Sequence, residues 1–292
     1  MPGIHRLIEL VDETSQWLRS IGLDPEPTRF GVYSRALRRW IGKAPGELPH
    51  EAAVLAIEAI VPCLEIVQVH QHLAPLVDAA RLKPRLERLL AGPPLEADEN
   101  FDDGTNDARN MGFELVVGAV LAESGATVVL PDDGDLTVEI DGATAGLECK
   151  RVRSVRGLRQ RVKRAGEQLA GRAGLPNNAL RLVAVDASLL VRQPSHLIVR
   201  RTHDAVYHEL KTATDKVLPK IIATCERVAG ATTHGVAFYV AAPTHVIDSN
   251  FWGRAEHRHI QILSARLTPA TGDALLRLVP ALTGPSTGVR RP

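Results

Sequence analysis

The sequence predicts an α/β protein: a mixed central β-sheet flanked by helices, preceded by an all-helical N-terminal domain. Three observations carry this. Apolar residues recur at helical spacing through residues 1–91. A stretch rich in Pro, Gly and acid, PPLEADENFDDGTND at 93–107, then breaks the pattern. Beyond it, short β-type runs alternate with longer amphipathic ones in the order α-β-β-β-α-β-α-β-β. The expected division is a helical domain at 1–95 and an α/β domain at 96–292.

Four helices are expected first. Residues 5–22 place Leu7, Ile8, Val11, Trp17 and Leu18 at helical spacing and end on Gly22, a C-terminal cap residue. Residues 29–42 form a second amphipathic stretch ending at Gly42. Residues 50–73 are apolar enough for a buried helix, which Pro62 should kink or split. Residues 75–92 form a fourth, stopped by Gly92. After the linker, 108–125 reads as a helix with Phe113, Val116, Val117, Val120 and Leu121 on one side. Strands follow at 126–131, 135–140 and 145–152, the last two joined by Asp141-Gly142, a dipeptide suited to the positive φ of a tight hairpin turn. A basic helix at 154–174, a strand at 181–191, a long helix at 202–230 containing Pro219, and strands at 235–242 and 257–267 complete the order.

Composition narrows the function. The chain has 292 residues, 45% of them hydrophobic and 24% charged, which suits a folded core and not disorder. No apolar run reaches the roughly 18 uninterrupted residues of a membrane span, so no membrane partner is expected. The N-terminus shows no secretory pattern. Three scattered cysteines, Cys63, Cys149 and Cys225, give neither a disulfide framework nor a zinc site, which suits a reducing cytoplasm. No phosphate loop, dinucleotide fingerprint or nucleophile elbow occurs. The pairs His70/His72 and His257/His259, at strand spacing, and His203/His208 lack acidic or cysteine partners at ligand spacing and read as surface or core histidines.

The net charge of +1 conceals segregation. Glu96–Asp141 holds thirteen acids against one base, Arg109; Lys150–Arg172 holds nine bases against one acid, Glu167. Mutual neutralisation is one reading. The other is a cation-binding acidic cluster beside a polyanion-binding surface.

The hairpin gives this chemistry a place. With Asp141-Gly142 as a two-residue turn, Ile140 faces Ala143 and Asp135 faces Glu148. Facing residues share a side of the sheet, and alternation adds Lys150 to that side while Leu147 and Cys149 take the other. Two carboxylates so placed repel unless a cation intervenes, and Mg²⁺ favours such oxygens. A solvated hairpin face with Lys150 as counter-ion is the alternative.

A helix with Glu114, a strand, Asp135 at the head of the next strand, then Glu148-Cys149-Lys150 in its hairpin partner resembles the PD-(D/E)xK nuclease superfamily. FEL in the first helix with Gly125 after it, AGEQL in the basic helix and the apolar LVAVDAS strand extend the likeness over roughly 107–190. Asp135 lacks a preceding Pro, which leaves Asp132 and Asp133 as alternative ligands. The resemblance implies a restriction-endonuclease-like core that hydrolyses phosphodiester bonds in DNA, with RNA left open, in restriction, repair or phage defence. Asp135, Glu148 and the Cys149 backbone carbonyl would hold Mg²⁺, or Mn²⁺ in its place. Lys150 would orient the attacking water, and Glu114 would complete the cluster, unless it is a solvated helix-edge residue. Gln168 would help position the phosphate. Arg153, Arg156, Arg159, Lys163 and Arg164 are the expected phosphate contacts. The alternative is a catalytically inactive nucleic-acid-binding or assembly module of the same fold. The N-terminal helices would serve partner recognition, gating or dimerisation, and a homo-oligomer is compatible with either reading.

Overall fold

The computed structural model describes residues 3–41, 43, 47–99, 107–132, 134–193, 195–230, 232–263 and 267–283. The expected helix end at Gly42 and the alternative ligand Asp133 lie outside these. Four helices come first: α1 (Gly3–Ser20), α2 (Arg29–Arg39), α3 (His50–Gln68) and α4 (Ala79–Leu90). The α/β part follows as α5 (Asp107–Glu123), β1 (Thr127–Val129), β2 (Leu136–Ile140), β3 (Ala143–Arg151), α6 (Val155–Gly171), β4 (Leu180–Asp186), the short α7 (Ser188–Val191), β5 (Ile198–Arg200), α8 (His203–Val228), β6 (Gly235–Val246), β7 (Phe251–Ile262) and α9 (Pro269–Thr283).

Local sequence explains the boundaries. Thr28, Ser154 and Thr202 cap the N-termini of α2, α6 and α8 by accepting backbone N–H bonds. Gly22 and Gly125 take φ of +77° and +88° just past α1 and α5, a conformation that costs glycine little. Pro62 and Pro219 do not split their helices; of the kink or split expected at Pro62, the split does not occur. Helix α3 runs on through it and loosens only at a π-turn over Val69–Leu73. His70 and His72 therefore sit on a helical turn, not a strand, and His70 stacks on Trp17.

The seven strands form one mixed sheet. Strands β1, β2 and β3 are antiparallel neighbours; β3, β4 and β6 run parallel. Strand β6 pairs along its whole length with antiparallel β7, while its other edge carries β4 at the start and β5 at the end. Helices α6 and α8 cover one face over a core that includes Val183, Val185 and Phe238. Helices α1, α3, α5 and α9 cover the other. The second core runs unbroken from Leu7 in α1 through Leu147 and Cys149 to Leu282 in α9. Helices α1 and α3 of the N-terminal part thus pack directly on the sheet.

Five elements depart from the expected list. SLLV at the end of the predicted fourth strand is the helical turn α7, and β5 and α9 have no counterpart in the expected order. Strands β6 and β7 form one long hairpin: β6 continues past Ala242 to Val246 and β7 begins at Phe251. The expected strands stop at Ala242 and resume at His257, leaving Pro243 outside both. Yet Pro243 falls between the end of the β4 ladder and the start of the β5 ladder, where a missing N–H toward that edge costs no bond.

The run His50–Leu73 is long and apolar enough to cross a membrane, but 61% of its most apolar window is buried within the protein. It is the core helix lying on β6 and β7. All three cysteines are free and buried.

Candidate active site

The hairpin register is the one the turn dictates. Asp141 and Gly142 both take positive φ, +47° and +77°, and Ile140 pairs with Ala143 and Leu136 with Leu147. Asp135 sits one residue before this ladder, where the next pair would set it against Glu148. Glu148 and Lys150 lie opposite Val183 and Val185 of β4, on the α6 side of the sheet. Asp135 folds over the strand end: its Oδ2 accepts the Cys149 N–H at 2.6 Å and lies 3.5 Å from Lys150 Nζ. Lys150 Nζ also donates to Glu148 Oε2 at 2.8 Å. One ammonium thus bridges both carboxylates, and Glu148 is 1% exposed.

The electrostatics follow from this crowding. Burial, then Asp135, push the Glu148 pKa up, against the pull of Lys150. Burial lowers the Lys150 pKa, but Asp135 and Glu148 outweigh it and the net shift is upward. Burial, with Asp135 and Glu114 adding to it, drives the Cys149 thiol well up, so it stays protonated. Asp132 is exposed, whereas Asp135 reaches β3.

Glu114 approaches from α5, on the opposite face. It is buried, and it has a partner: Arg85 Nε donates to its Oε1 at 3.0 Å. Burial and then Asp135 raise its pKa to about 7 despite Arg85. The helix-edge alternative is thereby set aside. Among the described residues, however, no three His, Cys, Asp or Glu side chains converge as a metal-binding group. Asp135, Glu148 and Lys150 come together, and Glu114 stands one layer away.

Two arginines frame the cluster. Arg172, counted in the basic block, is buried: its guanidinium donates to Leu136 O at 2.8 Å and Thr137 Oγ1 at 2.9 Å, fills the space a Cβ on Gly134 would need, and pulls the Glu148 pKa down. Arg85 is the second. No spacing rule could find either, because each meets the site across a long sequence separation.

The basic helix sorts into two flanks. Its buried stripe is Leu158, Val162, Ala165 and Leu169. Gly166, on one flank, packs against Gly230 beyond α8, with a Cβ there only 2.9 Å from the Gly230 nitrogen. The opposite flank carries Arg161, Arg164 and exposed Gln168, successive turns leading to Arg172 at β2. Arg164 and Gln168 are therefore on the side of the acidic pair. Arg156, Arg159 and Lys163 are exposed on the outer and α8-facing side, with Lys163 3.8 Å from Glu167. Arg153 is exposed, and its guanidinium donates to the carbonyls of Glu96 and Glu99. Arg161, half-buried, lies on the same flank as Arg164.

Part of the acidic block neutralises buried arginines. Arg151 pairs with Glu96, with Glu99 at 2.8 Å and with Asp186 at 3.2 Å, and Arg109 pairs with Glu99. For these residues the neutralising interpretation of the charge blocks is the correct one.

No protein-family model, curated protein or solved structure matches the chain.

Proposed function

We propose that the protein is a metal-dependent nuclease acting on DNA. The observation that carries this is the convergence of Asp135, Glu148 and Lys150 at the end of the β2–β3 hairpin, beside the Arg161–Arg164–Gln168 flank of α6. Two hard-oxygen carboxylates already gathered around one cationic nitrogen fit a divalent cation. Asp135, Glu148 and the Cys149 carbonyl would hold it, with Glu114 supporting from the other layer. A bound Mg²⁺ or Mn²⁺ supplies charge neutralisation and a more acidic water. Lys150 sets its ammonium against the charge developing on the phosphate oxygens and orients the attacking water. The water oxygen joins phosphorus as the ester P–O bond breaks, leaving a phosphate monoester and a free hydroxyl. Arg164, Arg161 and Gln168 steer the backbone toward this point through phosphate contacts, which carry no sequence information.

Incubation with plasmid, linear and single-stranded DNA, and with RNA, in Mg²⁺ or Mn²⁺ tests the reading. Glu148→Ala and Lys150→Ala should each lower cleavage by roughly 10²–10³, the usual loss of one preorganised electrostatic group. Cleavage that persists in both variants, or in chelator, would sink the assignment. One observation favours a second reading: Lys150 already satisfies both carboxylates, and no three-ligand group forms among the described residues. A catalytically inactive nucleic-acid-binding module would show salt-sensitive DNA binding, no metal dependence and no cleavage.

A further inference from the structure

We propose that Arg85, on α4, is a positioning residue of the Asp135–Glu148 centre, so that the N-terminal helices form the outer wall of the site. This assignment rests on the nuclease reading. Arg85 divides its guanidinium between two acceptors: Nε donates to Glu114 at 3.0 Å and Nη2 to the Pro131 carbonyl at 2.7 Å. One turn earlier, Arg81 Nη1 donates to the Leu130 carbonyl at 3.0 Å. One turn later, Arg88 grips Asp107 at the start of α5 through two bonds of 3.0 and 2.8 Å. Three arginines along one edge of α4 thus fix both the helix that carries Glu114 and the chain at Leu130–Pro131, four residues before Asp135.

The contact is withdrawn from water. The side chains of Arg85 and Glu114 are 17% and 9% exposed, and breaking such a pair strands the partner's charge. Without Arg85, the Glu114 carboxylate would stand near Asp135 with its hydrogen-bonded counter-charge gone and only the field of Arg88 left, and the Pro131 carbonyl would lose its donor. Both changes act on where Asp135 sits relative to Glu148. Because Nε and Nη2 are both committed to protein acceptors, Arg85 acts on this geometry and not on DNA. Outer partners that orient metal-binding groups typically affect metal affinity or activity by about 10–100-fold.

The test uses the full chain and Mn²⁺ as the probe. Mn²⁺ binding is measured by electron paramagnetic resonance and calorimetry, and cleavage by steady-state kinetics, for wild type, Arg85→Ala, Arg85→Lys and Arg81→Ala. Arg85→Ala should weaken Mn²⁺ binding about tenfold or more and lower kcat in step, leaving KM for DNA within about threefold. Arg85→Lys should recover part of both, and Arg81→Ala, which frees only Leu130, should show a smaller loss. Unchanged Mn²⁺ binding in a folded Arg85→Ala protein overturns the assignment while the nuclease reading stands. So does a rise in KM alone, which would make Arg85 a DNA contact. Wild-type protein that neither binds Mn²⁺ nor cleaves overturns the nuclease reading, and the Arg85 assignment with it.

Discussion

Glu65, on α3, lines a partly open pocket of about 40 Å³ together with Arg29, Arg109 and Asp186. Burial raises its pKa to about 6 from an ordinary 4.5, against the pull of Arg254 and helped by Asp186. An acid raised in the folded state is protonated there before it is in the unfolded chain. Its cost to stability is therefore absent below about pH 4.5, grows as pH rises to about 6, and is constant above. Glu65→Gln should stabilise the protein at pH 8 by up to about 2 kcal/mol, and by much less at pH 5. Urea unfolding at the two pH values checks this, and an equal gain at both would show that Glu65 does not titrate upward. Single residues differ in how legible they are. The pairing of Asp135 with Glu148 can be read because a two-residue turn fixes every pair above it. The partners of Glu65, Glu114 and Arg172 cannot, because they meet through packing between distant segments that no local pattern encodes.

At the scale of elements, α6 shows why a charge count is a poor map of a binding face. Five bases stand out in the basic run, but the helix has two flanks, and contact with Gly230 assigns one of them to α8. A uniform basic surface ignores that rotation, and the guanidinium of exposed Arg153 is already bound to the Glu96–Glu99 turn. If the site-facing flank holds DNA, Arg161→Ala/Arg164→Ala should reduce the slope of log affinity against log salt by about 2, since each lost phosphate contact removes about 0.9. Arg159→Ala/Lys163→Ala should leave the slope nearly unchanged. Binding titrations on duplex DNA at several salt concentrations decide it; equal losses in the two pairs would mean the whole basic helix binds. The strands obey the same distinction. Alternation and turn residues mark β2 and β3, whereas β5 and the outer half of the β6–β7 hairpin depend on pairing with β6 and carry little signal of their own.

For the whole molecule, the shift in composition near residue 95 marks a change in secondary structure, while the packing crosses it. The larger core joins Leu7, Leu37, Ile66, Val69 and Leu86 of the N-terminal helices to Leu147, Leu182 and Tyr239 of the sheet. Polar contacts cross as well: Glu58 of α3 accepts from Ser195, Gln68 accepts from Arg254, and Arg85 holds Glu114. A chain consisting of residues 96–292 alone would expose the α3-facing side of β6 and β7 and leave Arg254 and Glu114 without these partners. Stranding one buried charge costs about 3–5 kcal/mol, comparable to much of the roughly 5–15 kcal/mol that holds a domain folded. The full chain should therefore unfold in one cooperative step, with fluorescence of Trp17 and Trp40 and far-ultraviolet circular dichroism giving coincident transitions. The 96–292 fragment should lack a cooperative melt or aggregate on expression. A fragment that melts cooperatively by itself would show instead that the boundary near residue 95 separates two folding units, and that the N-terminal helices are an added module and not a wall of the site.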